Sequence, residues 1–355
     1  MYDIAIVGAG PAGATLARLL AKKQKVLLID RRELIAPLKK GLFEKCCGGL
    51  IAPDAQQMLA KLGLGVPREV LTGPQLFTVR TIDIQNNLER YYQRHYINME
   101  REKFDSWLVS TIPPSVDIRC GALYKKCEIQ KEFIKLHFSH EGKEYIEKAR
   151  YLIGADGAFS TLRRQVAPDL FQKTYISVQE WFEVRNNQPY YSAIFDRDIS
   201  DFYSWTIPKA DNLIVGATML PGENVASKFN LLKARLTERG FDLQTSIKRS
   251  GAFILRPQRI DQIYLGIGNV AFIGEAAGWI SPTSAEGLSY AFRSAVALAK
   301  SLEQEPNILV EEYSKNTRAL KMNIILKNLK APFMYNTVLR KVAMKSGLLS
   351  MEIYE

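Results

Sequence analysis

Short apolar runs that end at glycine-rich turns stand out in the first and last thirds of the chain. One run covers residues 4–7, and a glycine turn, an Ala/Leu-rich segment at 11–22 and a second apolar run at 26–29 follow it. Continuous apolar strands are typical of parallel sheets that helices cover on both faces. The pattern therefore predicts a strand–helix–strand unit whose second strand ends at Asp30.

The same kind of run returns at 151–155 and at 270–273, where glycines and a long Ala-rich helix follow. Residues 75–98 are predicted to form strands, residues 175–264 are aromatic-rich and strand-like with one helix predicted near 226–239, and residues 31–65 are predicted to be loop-rich. We expect an α/β fold: a Rossmann-like nucleotide-binding domain interrupted by a mixed β-sheet domain, with C-terminal helices. The predicted domains are 1–75 with 99–170 and 265–305, then 76–98 with 171–264, and a basic helical segment at 306–355.

Composition narrows the class of protein. The 355 residues are 47% hydrophobic and 24% charged, which is ordinary for a globular chain and excludes a disordered one. No apolar run of about 18 residues occurs, and the first ten residues lack the basic start of a signal peptide. Four cysteines are too few for a disulfide scaffold, so we expect a cytoplasmic protein.

The positive charge is concentrated near the end of the chain. The net charge is +11, and residues 315–345 contain eight Lys or Arg and no acid. This distribution argues against a nucleic-acid binder, which should interleave cations with base-contacting aromatics. Two interpretations of the tail stay open. Either its amphipathic helices, broken at Pro332, lie on an anionic membrane at the inner face, or they pack on the fold with solvated lysines.

The most specific local motif is Gly8-x-Gly10-x-x-Gly13, which lies between a predicted strand and a predicted helix. Its glycines allow a tight turn and close approach to a pyrophosphate, which the helix N-terminus faces. Asp30, seventeen residues after Gly13, can accept hydrogen bonds from ribose hydroxyls. Pro11, Ala12 and Arg31 are the further candidate contacts of this turn.

Two later segments support a larger resemblance. They are Gly154-Ala155-Asp156-Gly157-x-x-Ser160-x-x-Arg163 and Gly274-Glu275-Ala276-Ala277-Gly278. Three such segments in this order resemble the FAD-binding set of the aromatic-hydroxylase-like flavoproteins. The resemblance implies that the second segment lies over the FAD pyrophosphate and that the third holds the ribityl chain. It also implies that the helix after the third segment points its N-terminus at the flavin. The cofactor contacts implied there are Asp156, Gly157, Gly274, Glu275, Gly278, Pro282, Glu286, Gly287 and Leu288.

Further motifs narrow the resemblance. The Cys-Gly-Gly, Arg-x-x-Phe-Asp and Tyr-x-Trp segments given below resemble those of the geranylgeranyl reductase family of FAD-dependent oxidoreductases. The stretches CCGGLIAPDAQ at 46–56, GADGA at 154–158 and GEAAG at 274–278 are similar to those of its CbrA-type branch. Cys47-Gly48-Gly49 is similar to the family's Cys-Gly-Gly segment beside the flavin, and Arg101-x-x-Phe104-Asp105 to the segment whose arginine lies near FAD. Tyr203-x-Trp205-x-Ile207-Pro208 is similar to the family signature that contacts the prenyl substrate. The resemblance covers about residues 1–300. Glu275, Ile207 and Ala285 depart from the usual Asp, Phe and Gly.

The resemblance implies an FAD-dependent oxidoreductase that reduces carbon–carbon double bonds of an isoprenoid or other apolar lipid. Cys47, Tyr203 and Trp205 are its candidate catalytic residues, and NAD(P)H, ferredoxin or flavodoxin its candidate electron donors. One alternative is a flavin-dependent monooxygenase or halogenase on an apolar substrate. A second is a flavin-carrying protein that binds a polyprenyl lipid without turnover. For Cys47, Tyr203 and Trp205, plain roles in the protein core stay open. The three histidines show no metal-ligand spacing, so we expect no metal.

Overall fold

The fold is known from a computed structural model that describes residues 1–35, 45–170, 173–185, 188–222, 224–303 and 309–354. Its strands are β1 (Tyr2–Val7), β2 (Val26–Asp30), β3 (Leu50–Ile51), β4 (Leu76–Asp83), β5 (Leu88–Asn98), β6 (Asp117–Cys120), β7 (Leu123–Ile129), β8 (Ile134–His140), β9 (Lys143–Gly154), β10 (Thr174–Glu183), β11 (Tyr190–Phe195), β12 (Ser204–Lys209), β13 (Asn212–Met219), β14 (Thr245–Leu255), β15 (Gly266–Ile267), β16 (Val270–Phe272) and β17 (Ser350–Met351).

The α-helices are α1 (Pro11–Leu20), α2 (Pro53–Lys61), α3 (Arg101–Ser110), α4 (Thr161–Val166), α5 (Val225–Thr237), α6 (Leu288–Glu303), α7 (Leu309–Asn316), α8 (Arg318–Tyr335) and α9 (Thr337–Lys345). Short 3-10 turns occupy Arg68–Val70, Ile260–Gln262 and Gly274–Ala277. Within the described ranges, no helix is both long enough and apolar enough to cross a bilayer.

The chain divides into two compact units. The first contains Met1–Glu44, Glu102–Lys173 and Leu255–Leu326, and the second contains Lys45–Arg101, Thr174–Ile254 and Lys327–Glu355. Residues 45–75, predicted with the nucleotide-binding domain, group with the second unit, because β3 pairs with β5. The predicted boundaries at 170/171 and 305/306 touch residues outside the described ranges.

The first unit is built on a sheet with the strand order β15-β16-β9-β1-β2-β6, to which β8 and β7 are added beside β9. Strands β16, β9, β1, β2 and β6 run parallel, and β1 and β2 are almost fully buried. Helices α1 and α6 pack against each other. This is the predicted Rossmann-like sheet, with α1 and β2 close to the predicted bounds.

The second unit is built on a mixed sheet with the order β14-β10-β13-β12-β11-β4-β5-β17, and β3 pairs with β5. Only β11 and β4 are parallel among the neighbours whose register is defined. Helix α5 contributes Phe229, Leu232 and Leu236 to the apolar core on one face of this sheet. The predicted α/β class, with an interrupting mixed sheet and C-terminal helices, is confirmed.

One helix was not predicted, and one predicted break was wrong. Residues 53–61 form α2 within the predicted loop region, since Pro53 occupies the first turn and Ala55, Met58 and Leu59 supply a buried face at helical spacing. Pro332 does not break the tail, because α8 continues to Tyr335. The break comes at Asn336, whose side-chain oxygen accepts the N–H groups of Val338 and Leu339 and so starts α9.

Candidate functional site

Three glycine segments meet at one edge of the first unit's sheet. They follow β1, β9 and β16, which are neighbouring parallel strands, so their carboxyl ends share that edge. Backbone hydrogen bonds join them: Ala155 N–H donates to the Val7 carbonyl at 2.8 Å and Ile273 N–H to the Gly154 carbonyl at 2.9 Å. Ligands of open α/β sheets bind at this kind of edge.

The glycines of the first turn serve different purposes. A Cβ at Gly8 would lie 2.5 Å from the Ala155 carbonyl oxygen, and one at Gly13 only 1.9 Å from that of Gly8. Both glycines are therefore required by the protein's own packing. A Cβ at Gly10, in contrast, would approach nothing closer than the Arg32 Nη2, at 3.9 Å. Gly10 leaves open space at the start of α1, which has no side-chain cap.

Asp30 ties this turn to an arginine that sequence analysis missed. The Asp30 carboxylate accepts the Ala9 N–H at 2.7 Å and three N–H groups of Arg32 at 2.8 to 3.2 Å. Arg32 also donates to the buried Asp105 at 2.7 Å. Burial opposes the Arg32 charge, but the two carboxylates hold its pKa above the ordinary value. Arg31, the residue predicted here, is exposed.

The second and third segments are joined by Arg163, the last residue of the second motif. Its guanidinium is buried and donates to the carbonyl of Ala158 at 2.7 Å and to that of Ala276. Asp156 accepts the N–H groups of Thr161 and Leu162 at the start of α4. Its second oxygen, Oδ1, is buried and has no hydrogen-bond partner within the described ranges. Burial raises the pKa of Asp156.

The acidic side chains of the third segment form hydrogen bonds with backbone N–H groups of the protein. Glu275 Oε1 accepts the Leu255 N–H at 3.1 Å, and Glu286 accepts the backbone N–H of Ser289 at 2.7 Å and so caps α6. Gly157 and Gly278 have positive φ values, as does Ala285 at +50°. The Pro282 carbonyl accepts the buried Arg256 Nε at 3.1 Å, and Gly287 and Leu288 lie at the start of α6.

A dinucleotide suits these residues. Gly10 leaves room at this sheet edge. The uncapped start of α1 supplies hydrogen-bond donors there, and the unpartnered Asp156 oxygen supplies an acceptor. Pro11, Ala12 and Gly13 form the first turn of α1. All the predicted cofactor contacts lie in the first unit except Cys47, Gly48, Gly49 and Arg101, which belong to the second unit.

The second unit carries its candidate residues on the sheet face opposite α5. Alternation along β12 places Trp205, Ile207 and Lys209 on one face, with Tyr203 just before the strand. The Cys47-Gly48-Gly49 segment packs on this face: a Cβ at Gly48 would lie 2.4 Å from Ile207 Cδ1. Gly49 has φ +63° and approaches the Met99 carbonyl. The family resemblance implied that these segments serve one site, whereas their predicted domains were different.

Cys47 lies between donors. Its Sγ is 3.3 Å from Arg101 Nη1 and 3.4 Å from the Gly49 backbone nitrogen. Burial alone would raise the pKa of Cys47, but the Arg101 charge and the Gly49 N–H outweigh it and hold the pKa below the ordinary value. The neighbouring Cys46 has the opposite shift, because burial raises its pKa.

Lys209 is a second residue that sequence analysis missed. Its side chain is 3% exposed, and Nζ donates to the carbonyls of Gly49 at 3.0 Å and Met99 at 2.7 Å. Burial lowers the pKa of Lys209 to about 8. Lys209 therefore joins the Cys-Gly-Gly segment to the strand that carries Trp205. It directly follows Pro208, but nothing in the sequence marks this lysine as buried.

Aromatic rings cover the rest of this face. The Tyr203 ring is 5.5 Å from that of Trp205, and Tyr96 is 5.4 Å from Tyr191. Tyr335 lies 5.3 Å from Phe202. Burial raises the pKa of Tyr203 and of Tyr191, so both phenols stay protonated. The buried Trp205 Nε1 has no hydrogen-bond partner within the described ranges.

Comparison with known proteins shows which folds this structure resembles. Residues 6–36 match the model of the NAD(P)-binding Rossmann-like domain. The structure is similar to a geranylgeranyl bacteriochlorophyll reductase-like protein from Thermoplasma acidophilum. Its TM-score is 0.80 at 19% identity, covering 96% of this chain and 90% of that one. It is also similar to PqsL, a probable FAD-dependent monooxygenase from Pseudomonas aeruginosa, with TM-score 0.72, 16% identity and coverage of 98% and 99%.

The sequence itself is 40% identical to protein CbrA of Escherichia coli strain K12 over 349 residues, which is 98% of this chain and 97% of that protein. Identity of this size over nearly the whole length goes beyond a shared fold. The resemblance drawn from the glycine, Cys-Gly-Gly and Tyr-x-Trp motifs is confirmed. The chain belongs to the CbrA family, and its fold is that of the geranylgeranyl reductase-like flavoproteins.

Proposed function

We propose that the protein is an FAD-dependent oxidoreductase that reduces carbon–carbon double bonds of an isoprenoid or other apolar lipid. The observation that carries the proposal is the meeting of three glycine segments at one sheet edge, with open space at Gly10 alone among the turn's motif glycines. That edge suits a dinucleotide, and the aromatic face of the second unit suits an apolar chain. FAD, once reduced, supplies a hydride.

The residues of the first unit would bind the cofactor. The N-terminus of α1 presents unpaired N–H groups and the positive end of the helix dipole to the pyrophosphate. Arg163 and the Asp30–Arg32 pair fix the loops around that edge, so that little reorganisation is needed on binding. Cofactor contacts at Arg31, Cys47, Gly48, Gly49 and Arg101 stay part of the proposal.

The residues of the second unit would hold the substrate and its proton. Adding hydrogen across a double bond needs one hydride and one proton, and the aromatic face excludes water around the apolar chain. The Tyr203 phenol would donate this proton to the carbon that does not receive the hydride: its raised pKa keeps it protonated until then, and the Tyr191 hydroxyl forms a hydrogen bond with it. Trp205 offers an unused N–H to an oxygen of the substrate. Cys47 would lie near the reacting group, with the Arg101 charge holding the pKa of its thiol below the ordinary value.

The electron donor would be NAD(P)H, a ferredoxin or a flavodoxin, and the protein would act in the cytoplasm. A basic surface favours an acidic donor protein, because opposite charges speed encounter. The monooxygenase alternative has one supporting observation, which is the similarity to PqsL over nearly both chains. The halogenase is a further alternative, and the lipid carrier without turnover is one that the second experiment below separates from the reductase.

The first experiment tests the cofactor site. Gly10→Ala adds a methyl group where the protein itself has room, so we expect the variant to fold normally and to lose most of its FAD. Gly65→Ala is the matched control, since a Cβ there meets nothing within 4 Å. Flavin absorbance of the purified proteins and their thermal unfolding are the measurements. An apoprotein that cannot be loaded with flavin would refute the proposal.

The second experiment tests the reaction. The flavoprotein is reduced without oxygen, and a lipid extract rich in polyprenyl compounds is added while the absorbance of oxidised flavin is followed. Reoxidation with products heavier by two hydrogens per step supports the reductase. Flavin that stays reduced until oxygen enters, with oxygen in the product, identifies a monooxygenase. Stable lipid binding without reoxidation identifies a carrier.

A further inference from the structure

Helix α9 is fixed to the second unit by one face. The buried Arg340 donates to both carboxylate oxygens of the buried Asp83, at 2.7 and 3.1 Å. Arg90 Nε donates to the Met344 carbonyl at 3.0 Å, and Asn86 Nδ2 donates to the Thr337 carbonyl at 3.0 Å. The helix is therefore an integral part of this unit, and its inward face contains Arg340 and Met344.

The outward face of α9 has the wrong polarity for contact with water. Helical spacing places Val338, Lys341, Val342 and Lys345 on the face opposite Arg340 and Met344. Val338 is 68% exposed and Val342 is 64% exposed. An ordinary surface helix presents polar residues outward, and this one presents branched apolar side chains between lysines.

Other segments of the same unit that adjoin α9 in sequence also expose apolar side chains, in one case beside a lysine. The end of α8 exposes Leu329, Lys330 and Phe333, and the turn after α9 exposes Leu348 and Leu349, the latter 84% exposed. No acidic residue occurs between Glu312 and Glu352. We define the C-terminal surface as the exposed side chains Leu329, Lys330, Phe333, Val338, Leu339, Lys341, Val342, Lys345, Leu348 and Leu349.

Charge decides between the partners that could cover this surface. A second copy of the chain would place lysines against lysines across a symmetric contact, which costs free energy. An acidic protein would pair with the lysines but has no need of so many exposed apolar side chains. An anionic bilayer uses both, because its phosphates attract the lysines and its acyl boundary accepts the apolar side chains.

We infer that the C-terminal surface docks the protein on an anionic lipid bilayer, with the lysines at the phosphate groups and the branched apolar side chains inserted below them. This inference goes beyond the proposed chemistry and does not depend on a flavin. Vesicle binding is measured without turnover, so its outcome and that of the flavin experiments are independent.

The test is cosedimentation of the full-length protein with vesicles of phosphatidylcholine, with and without about one third phosphatidylglycerol. Binding is expected only to the anionic vesicles. Each lysine near such a surface contributes about fivefold to the partition coefficient, so the triple variant Lys330→Gln, Lys341→Gln, Lys345→Gln should bind about a hundredfold more weakly. The matched control makes the same change at three other exposed lysines, Lys61, Lys103 and Lys143, and should bind like the wild type.

A second variant tests insertion. Val338→Ser, Val342→Ser and Leu349→Ser leave every charge in place, and we expect vesicle binding to fall at least about tenfold. The control changes Ile247 and Phe253 to Ser, which are exposed apolar residues of β14. Thermal unfolding confirms that each variant is folded. If binding survives the serine changes, or if neither triple variant differs from its control, the inference is overturned. A wild-type dimer that the serine variant dissociates, or binding to an acidic flavodoxin but not to vesicles, overturns it as well.

Discussion

Gly10 and Lys209 show how differently the two units build their candidate sites. At Gly10 the first unit has no side chain, and it presents an uncapped helix start and backbone groups at a sheet edge. At Lys209 the second unit offers a buried ammonium beside a thiol held by an arginine, with tyrosines on the same sheet face. The first site suits a dinucleotide, a ligand common to many proteins. The second site has perturbed pKa values, which are typical of catalytic and binding sites.

The difference also concerns the distance along the chain over which each site is assembled. The first turn is complete within residues 8–13, so local spacing defines it. The second site joins Cys47 to Arg101 and Gly49 to Lys209, residues that are 54 and 160 positions apart. Substitutions that add bulk should therefore impair the glycine turn of the first unit, whereas substitutions that remove a charge should impair the cluster around Cys47 and Lys209. The predictions below test that contrast.

The largest effect is expected at Arg163. Arg163→Met removes the donor that joins the Ala158 and Ala276 carbonyls, and leaves the part-buried first group and the buried second one without it. We expect a loss of about 3 kcal/mol in unfolding free energy, together with loss of flavin. Arg164→Met, at the exposed neighbour, should cost less than about 0.5 kcal/mol. Urea unfolding measures both, and equal losses would show that Arg163 does not join the segments.

The next effect is a pH dependence at Lys209. Burial lowers its pKa to about 8, whereas an unfolded lysine titrates near about 10.4. Between these values the unfolded chain binds more protons, so this group makes stability rise with pH. From pH 8 to pH 10 the wild type should gain about 2 kcal/mol relative to Lys209→Met. Urea unfolding across this range measures the stability of the wild type, of Lys209→Met and of the exposed control Lys103→Met. If the stabilities of the wild type and Lys209→Met change in parallel with pH, the prediction is wrong.

A smaller effect is expected on the reactivity of Cys47. In a Cys46→Ser background, Arg101→Gln removes the charge that holds the Cys47 pKa below its ordinary value. Burial then dominates, the thiolate fraction falls, and alkylation by iodoacetamide at pH 7 should slow about tenfold. Arg101→Lys keeps the charge and should retain most of the rate. Rates that are equal in all three proteins would show that Arg101 does not control the thiol.

The smallest effect is expected at Ala285, where the family resemblance led us to expect Gly. Its φ of +50° lies in the left-handed region, which costs an alanine about 1 kcal/mol. Ala285→Gly should therefore raise the unfolding free energy by up to about 1 kcal/mol. Ala234→Gly, in the exposed interior of α5, should lower it by a similar amount. A loss at both positions would mean that the backbone at 285 is not strained.

Sequence patterns predicted the parts of the fold that local contacts determine. The predicted helices at 11–22 and 226–239 correspond to α1 and α5, because their apolar spacing and their glycine or asparagine starts are local signals. Lys209, Arg32 and Arg163 could not be assigned roles in this way. A buried cation looks like any surface cation in sequence, and its partners come from distant strands. The same holds for α2, whose buried face depends on where β5 lies.

The ion pair between Arg340 and Asp83 bears on how this protein can be shortened. A chain cut before Thr337 would leave the Asp83 carboxylate with Asn86 as its remaining partner among the residues that the structure describes, at a cost of several kcal/mol. Loss of vesicle binding in such a truncated protein would then report a damaged fold as much as a lost lipid contact. The last helix must therefore be probed by single side chains, and an affinity tag belongs at the other end of the chain.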